Sequence, residues 1–316
     1  MAADNGKVVY EKAICVKDLV VSLSGKEILK KLSFSVPKDS ITGFLGPNGA
    51  GKTTAMRAIL GLLPFCSGSI DLLGCKIPKE GTKARERIGA MIERPTLVDS
   101  LTAGDNLKYI GSIYKPVKES RIDHVLNLVD LSKEKNKKFS AFSTGMKQRL
   151  AIALCMLHEP EMMLLDEPTS GMDPAGRVHV REILTNIHKS EGTGIFLSSH
   201  LLDEIQKLCD YVVIIDEGKT VTETSISNLL LDNSEIYELR FSDGFSEKGL
   251  EAMRNMRDMI SEIKERPTGF EIKIEKGTAA KVNMELNKAS LPVEALIPLQ
   301  SSLEDKFIKL TERKES

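Results

Sequence analysis

The sequence predicts an α/β protein in three parts: a parallel-sheet core, a helical subdomain inserted into it, and a small C-terminal α+β domain. Three observations predict it. In the first two-thirds of the chain, short continuous apolar runs alternate with helical stretches, as buried parallel strands do. Between residues 102 and 157 the periodicity is helical only. Beyond Thr220 the pattern changes to strands alternating with short helices.

Residues 14–23 and 32–36 alternate or run apolar and read as strands. Residues 40–45 are a short apolar run ending in a glycine-rich loop. Residues 54–63 place Met56, Ile59, Leu60 and Leu63 on one helical face, and Pro64 stops that helix. Helices are expected over 102–114, 121–129 and 143–157, the inserted subdomain of about 100–157. Apolar runs at 162–165, 194–197 and 211–215 complete the buried sheet of a first domain spanning 1–224. The second domain, 225–316, reads as strand 235–241, helix 246–256, strands near Glu262 and over 269–274, helix 280–289 and strand 293–299. That β-α-β-β-α-β order fits a split βαβ unit. A last helix is expected over 302–311.

Bulk properties narrow the function classes. The formal net charge of the 316 residues is -1, so the basic excess that tracks a nucleic-acid backbone is missing. Cys15, Cys66, Cys75, Cys155 and Cys209 are scattered, with no Cys-x-x-Cys pair, as in a cytosolic protein with reduced thiols. The N-terminus lacks the layout of a signal peptide. No apolar run approaches the roughly 20 residues that span a bilayer. The chain is therefore expected to be soluble, with any membrane role reached through a partner.

Gly46-Pro47-Asn48-Gly49-Ala50-Gly51-Lys52-Thr53 sits between a strand and a helix, the context in which G-x-x-x-x-G-K-T holds phosphate. Its glycines let consecutive N–H groups wrap the phosphates, and the helix N-terminus beginning near Thr54 faces the negative charge. Lys52 brings a point charge to the β- and γ-phosphates, and the Thr53 hydroxyl is a Mg²⁺ ligand. The core is thus expected to be a P-loop NTPase of the RecA-like kind, binding a nucleotide with Mg²⁺. Asp166 ends an apolar strand, where its carboxylate can hold Mg²⁺ through water. Glu167 follows and is the candidate to orient and polarise the attacking water. Adjacent acids at a strand end can also serve as helix caps. His200 ends the next strand and can reach the γ-phosphate; His124, His158, His179 and His188 read as structural.

With Phe142-Ser143-Thr144-Gly145-Met146-Lys147-Gln148-Arg149 added, residues 14–215 resemble, motif by motif, the ATP-binding subunits of ABC transporters. The resemblance implies a dimer closed around two ATP, in which Ser143 and Gly145 of one subunit reach the γ-phosphate held by the other. Ser170-Gly171-Met172-Asp173 resembles the loop that crosses between subunits near the hydrolytic water, giving Asp173 a place at the nucleotide. ATP hydrolysis would then drive a permease on a separate chain, at the cytoplasmic face of the cell membrane. Three departures stand out. The usual Leu-Ser-Gly-Gly-Gln reads Phe142-Ser143-Thr144-Gly145-Met146, with both phosphate-facing positions kept. Glu93 stands where a glutamine usually contacts Mg²⁺. Leu23 stands where an aromatic usually stacks on adenine, which predicts weaker adenine selectivity.

The segments 88–95 and 101–107 resemble the bacitracin and lantibiotic resistance branch, as does the Ser-Thr-Gly-Met-Lys-Gln-Arg run. That branch implies a drug exporter moving antimicrobial peptides, drugs, lipids or ions. A soluble ABC-type ATPase acting on ribosomes or nucleic acid is the main alternative, and an importer subunit the second. One motif set, no long heptad run and balanced charge weigh against the first. The C-terminal domain reads either as a regulatory or dimer-supporting module or as a packing domain.

Overall fold

The structure is a computed structural model that describes residues 12–92, 97–113, 116–230, 234–242, 244–299, 303–304 and 306–307. The chain divides into two compact units, Met1–Ile226 and Ser227–Ser316.

In the first unit, β1 (Lys12–Leu23) and β2 (Lys26–Pro37) pair as an antiparallel hairpin. β3 (Ile41–Leu45) leads into α1 (Lys52–Ile59), followed by β4 (Ser67–Leu72), β5 (Cys75–Ile77), α2 (Gly81–Arg85) and β6 (Ile88–Met91). Then come α3 (Ala103–Gly111), α4 (Glu119–Leu128) and α5 (Thr144–Met156), with only short 3-10 turns between the last two. β7 (Met162–Leu165), α6 (Pro174–Glu191), β8 (Gly194–Ser199), α7 (Leu202–Leu208), β9 (Tyr211–Asp216) and β10 (Lys219–Ser225) complete it. Four strands form an antiparallel sheet in the order β2-β1-β4-β5. Six form a second sheet, β10-β9-β3-β8-β7-β6, parallel except for β10 at its edge. Every residue of β3, β7 and β8 is buried, which is why these strands are continuous apolar runs rather than alternating ones.

The two sheets share a core. Phe34 of β2 meets Phe44 of β3 and Phe196 of β8, with ring centroids 5.2 and 5.9 Å away, and Phe44 and Phe196 lie 5.1 Å apart. Such spacings are favourable for offset or tilted rings.

Several boundaries differ from the sequence expectation. β2 begins at Lys26, earlier than the apolar run at 32–36, because hairpin pairing with β1 orders its half-exposed start. α1 stops at Ile59 rather than 63, since Gly61 takes φ +67 and ends the turn before Pro64. β4, β5, β6 and β10 carry too few alternating apolar residues to stand out, and pairing alone defines them.

α8 (Ile226–Leu230) follows β10 in the chain. The second unit contains β11 (Ser234–Phe241), α9 (Ser246–Asn255), β12 (Ile260–Arg266), β13 (Gly269–Glu275), α10 (Ala279–Lys288) and β14 (Val293–Leu299). Its sheet order, β12-β13-β11-β14, inserts β13 between β11 and β12, the split βαβ arrangement. Leu239, Ile272, Ile274, Met253, Val282 and Leu286 form its own fully buried core. Of the last helix expected over 302–311, only 303–304 and 306–307 are described, and they are helical.

Candidate functional site

The site lies at the carboxyl ends of three neighbouring parallel strands. β3 and β8 are neighbours whose outgoing connections run to opposite sides of the sheet, from β3 towards β6 and from β8 to β9, the switch point at which open α/β sheets bind ligands. β3 runs into the loop 46–51, β7 into Asp166-Glu167 and β8 into His200.

The loop needs its glycines. Gly51 sits at φ +102 as the N-cap of α1, and a Cβ there would lie 2.7 Å from Leu29 Cδ2. A Cβ on Gly46 would lie 2.5 Å from the Ile215 carbonyl oxygen. Lys52 is buried and its ammonium donates to the carbonyl oxygens of Gly46 at 2.7 Å and Pro47 at 3.3 Å. Burial pushes this amine below the usual lysine value, while Glu167 and Asp166 pull it back up.

The acidic side of the site is one hydrogen-bonded chain. Thr53 Oγ1 donates to Asp166 Oδ2 at 2.6 Å, and Ser198 Oγ donates to Asp166 Oδ1 at 2.5 Å. The same Ser198 oxygen accepts from the Glu167 backbone N–H at 2.9 Å. Glu167 Oε2 lies 2.7 Å from His200 Nδ1. Glu167 holds φ +50, a left-handed conformation costing a non-glycine residue about 1–2 kcal/mol, anchored by Ser198 before it and by Ser170 N–H on its carbonyl.

Ser198 was missed from sequence. The run Ser198-Ser199-His200 at the end of an apolar strand is the signal that could have marked it. Behind Glu167, buried Thr169 donates to Glu204 Oε2 at 2.7 Å, and Arg177 lies 3.5 Å from the same carboxylate.

The remaining predicted residues stand apart. Ser143 is the N-cap of α5, accepting from Met146 N–H at 3.3 Å; Asp173 is the N-cap of α6, accepting from Gly176 N–H at 3.0 Å. Gly145 follows in the first turn of α5, and Leu23 ends β1 half-exposed. Among the described residues, no hydrogen bond or ion pair links Leu23, Ser143, Gly145 or Asp173 to the loop–carboxylate cluster. Glu93 lies outside the described residues.

The ABC transporter family model matches residues 29–170. The ABC transporter ATP-binding protein YhcH of Bacillus subtilis, itself uncharacterized, is 35% identical over 298 residues, covering 94% of this chain and 95% of the relative. The protein belongs to the ABC transporter ATP-binding family. The bacitracin transport ATP-binding protein BcrA of Enterococcus faecalis is also 35% identical, over 96% of this chain and 97% of the relative. Among solved structures, cbiO1 of Clostridium perfringens, part of the ABC transporter complex cbiONQ, has a TM-score of 0.63 at 28% identity. That match covers 69% of this chain and 90% of cbiO1. As an ABC cassette, the chain is an ATPase subunit whose hydrolysis is coupled to transport. No helix among the described residues is long and apolar enough to cross a membrane.

Proposed function

We propose that this chain is the ATPase of a two-component exporter, closing as a dimer around two ATP and driving a permease carried on a separate chain. Its ATPase domain is residues 1–224, with a helical subdomain of about 100–157, and 225–316 is a second domain. The observation that carries the reading is the Thr53–Asp166–Ser198–Glu167–His200 chain beside the glycine loop.

Gly46 to Thr54 wrap the phosphates and Lys52 neutralises them. Mg²⁺ fits the hard oxygens that converge at Thr53 and Asp166, 2.6 Å apart. No group of three His, Cys, Asp or Glu side chains able to hold a metal occurs among the described residues. A Mg²⁺ site built on one hydroxyl, one carboxylate and phosphate oxygens does not require one. Glu167 orients the attacking water as general base, and His200, bonded to it, fixes the carboxylate beside the γ-phosphate. Ser143, Gly145 and Asp173 act on the partner subunit's nucleotide, which accounts for their separation from the cluster within one chain. Leu23 covers the adenine face, and Glu93 stands at the Mg²⁺-contacting position. The chain sits at the cytoplasmic face of the membrane through its permease. The likeness to BcrA over nearly the whole chain supports export of an antimicrobial peptide or similar amphipathic compound.

The test uses tagged Glu167→Gln chain with ATP and Mg²⁺ on solubilised native membranes. This variant should lose about three orders of magnitude or more in turnover, keep ATP affinity and co-purify with a polytopic membrane protein. Ribosomal or nucleic-acid material without a membrane protein would replace the transporter reading with the soluble-ATPase one.

A further inference from the structure

Glu204 is a buried carboxylate in the first turn of α7, and neither phosphate binding nor water activation uses it. Its helix is seated on the strand that carries the glycine loop: a Cβ on Gly43 of β3 would lie 2.7 Å from Ile205 Cγ2. Buried Thr169 donates its hydroxyl to Glu204 Oε2 at 2.7 Å, and Arg177 Nε of α6 lies 3.5 Å from Oε1. That Nε is buried and has no hydrogen-bond partner among the described residues.

Two segments of the site are therefore joined twice. At the surface Glu167 meets His200 at 2.7 Å. In the interior Thr169, two residues past Glu167, meets Glu204, four residues past His200. Between Glu167 and α6 the backbone closes on itself, with Ser170 N–H donating to the Glu167 carbonyl at 3.1 Å and Met172 N–H to the Thr169 carbonyl at 3.3 Å. A shift of Thr169 is thus passed directly to Glu167, whose left-handed backbone persists only while its surroundings hold it.

Stability alone does not call for a carboxylate here. Removing one from water is costly, and packed apolar side chains of the same volume are often as stable. The Arg177 contact is not closed to a hydrogen bond, so the pair is not optimised as an ion pair. A directed hydrogen bond fixes the loop at one register, which apolar packing does not.

We propose that Glu204 is a positioning residue for ATP hydrolysis. By holding Thr169 it aims the Glu167 carboxylate and keeps that loop in register with the segment carrying His200. The inference rests on the reading of Glu167 as the residue that orients the attacking water.

ATPase assays of the full chain test it, at a temperature where circular dichroism shows every variant folded. Thr169→Val removes the hydroxyl at nearly constant volume and should lower kcat about tenfold, with the Kd for ATP within about twofold of the parent. Thr169→Ser keeps the hydroxyl and should hold kcat within about threefold of the parent. In single turnovers of the Glu167→Gln chain, adding Thr169→Val should cost less than about twofold more, because the carboxylate through which Thr169 acts is already gone. The proposal fails if Thr169→Val keeps the parent kcat, if Thr169→Ser is as slow as Thr169→Val, or if Thr169→Val costs the same factor in both backgrounds. Parent-like turnover in Glu167→Gln alone would instead remove the reading of Glu167, and this inference with it.

Discussion

Ser198→Ala is the sharpest probe of the site, because one buried hydroxyl serves two of its members. Ser198 is fully buried, donates to Asp166 at 2.5 Å and accepts from the Glu167 N–H at 2.9 Å. Alanine removes both bonds at little change in volume. A hydrogen bond to a charged group contributes about 1.5–3 kcal/mol, and an orphaned buried N–H costs about 1–3 kcal/mol. The two share one oxygen and do not simply add, so folding stability should fall by about 2–4 kcal/mol. Asp166 retains Thr53, whereas Glu167 keeps only its His200 contact and the Ser170 bond to its carbonyl while holding a left-handed backbone. Looser positioning of the carboxylate should lower kcat by about tenfold to a hundredfold. ATP affinity should stay within about threefold, since the glycine loop is untouched. Denaturant unfolding, steady-state ATPase assays and equilibrium ATP titration read the three quantities. Stability within about 0.5 kcal/mol of the parent, with kcat within about twofold, would show that Ser198 does not hold the pair.

Lys52→Ala should weaken ATP binding by about 2 kcal/mol, some thirtyfold in Kd; an unchanged titration would remove Lys52 from the phosphate site. Phe196→Ala, which empties the aromatic trio between the two sheets, should cost about 3–5 kcal/mol in urea unfolding. A loss under about 1 kcal/mol would mean that the sheets do not depend on it. Glu161 accepts from Arg87 at 2.5 and 2.9 Å, and that bond holds its carboxyl below the ordinary value of 4.5. The stability this contributes is present above the ordinary value and is lost as pH falls through the lower folded one. Stability–pH curves for the parent and Glu161→Gln should therefore converge in acid, and parallel curves would contradict the assignment.

The parts of the fold that sequence reveals are those whose chemistry is local. β3, β7 and β8 show as apolar runs because both faces are buried, and the loop before α1 shows because few sequences other than a glycine turn can wrap phosphate. Asp166, Glu167 and His200 were legible as polar residues at the ends of such runs. Ser198 was not, since a single hydroxyl in a buried strand gains meaning only from which strand lies beside it. The same holds for β4, β5 and β10, which owe their strand character to pairing more than to composition. The roles proposed for Ser143, Gly145 and Asp173 are at a second subunit, so no reading of one chain's contacts reaches them.

The parallel ladder also limits where this chain can change length. Leu45 is level with Ser199 on β8, and Leu165 with Leu197, so Asp166 comes level with Ser198 by counting alone. One residue inserted between Gly194 and Phe196 would advance His200 by about 3.3 Å and turn the Ser198 position to the other face of the sheet. The same slip would carry Phe196 off the face where it meets Phe34 and Phe44. Insertions and deletions are therefore confined to segments outside these strands, such as the stretch between α6 and β8. The six-residue count of β8 is as much a part of the site as the side chains it delivers.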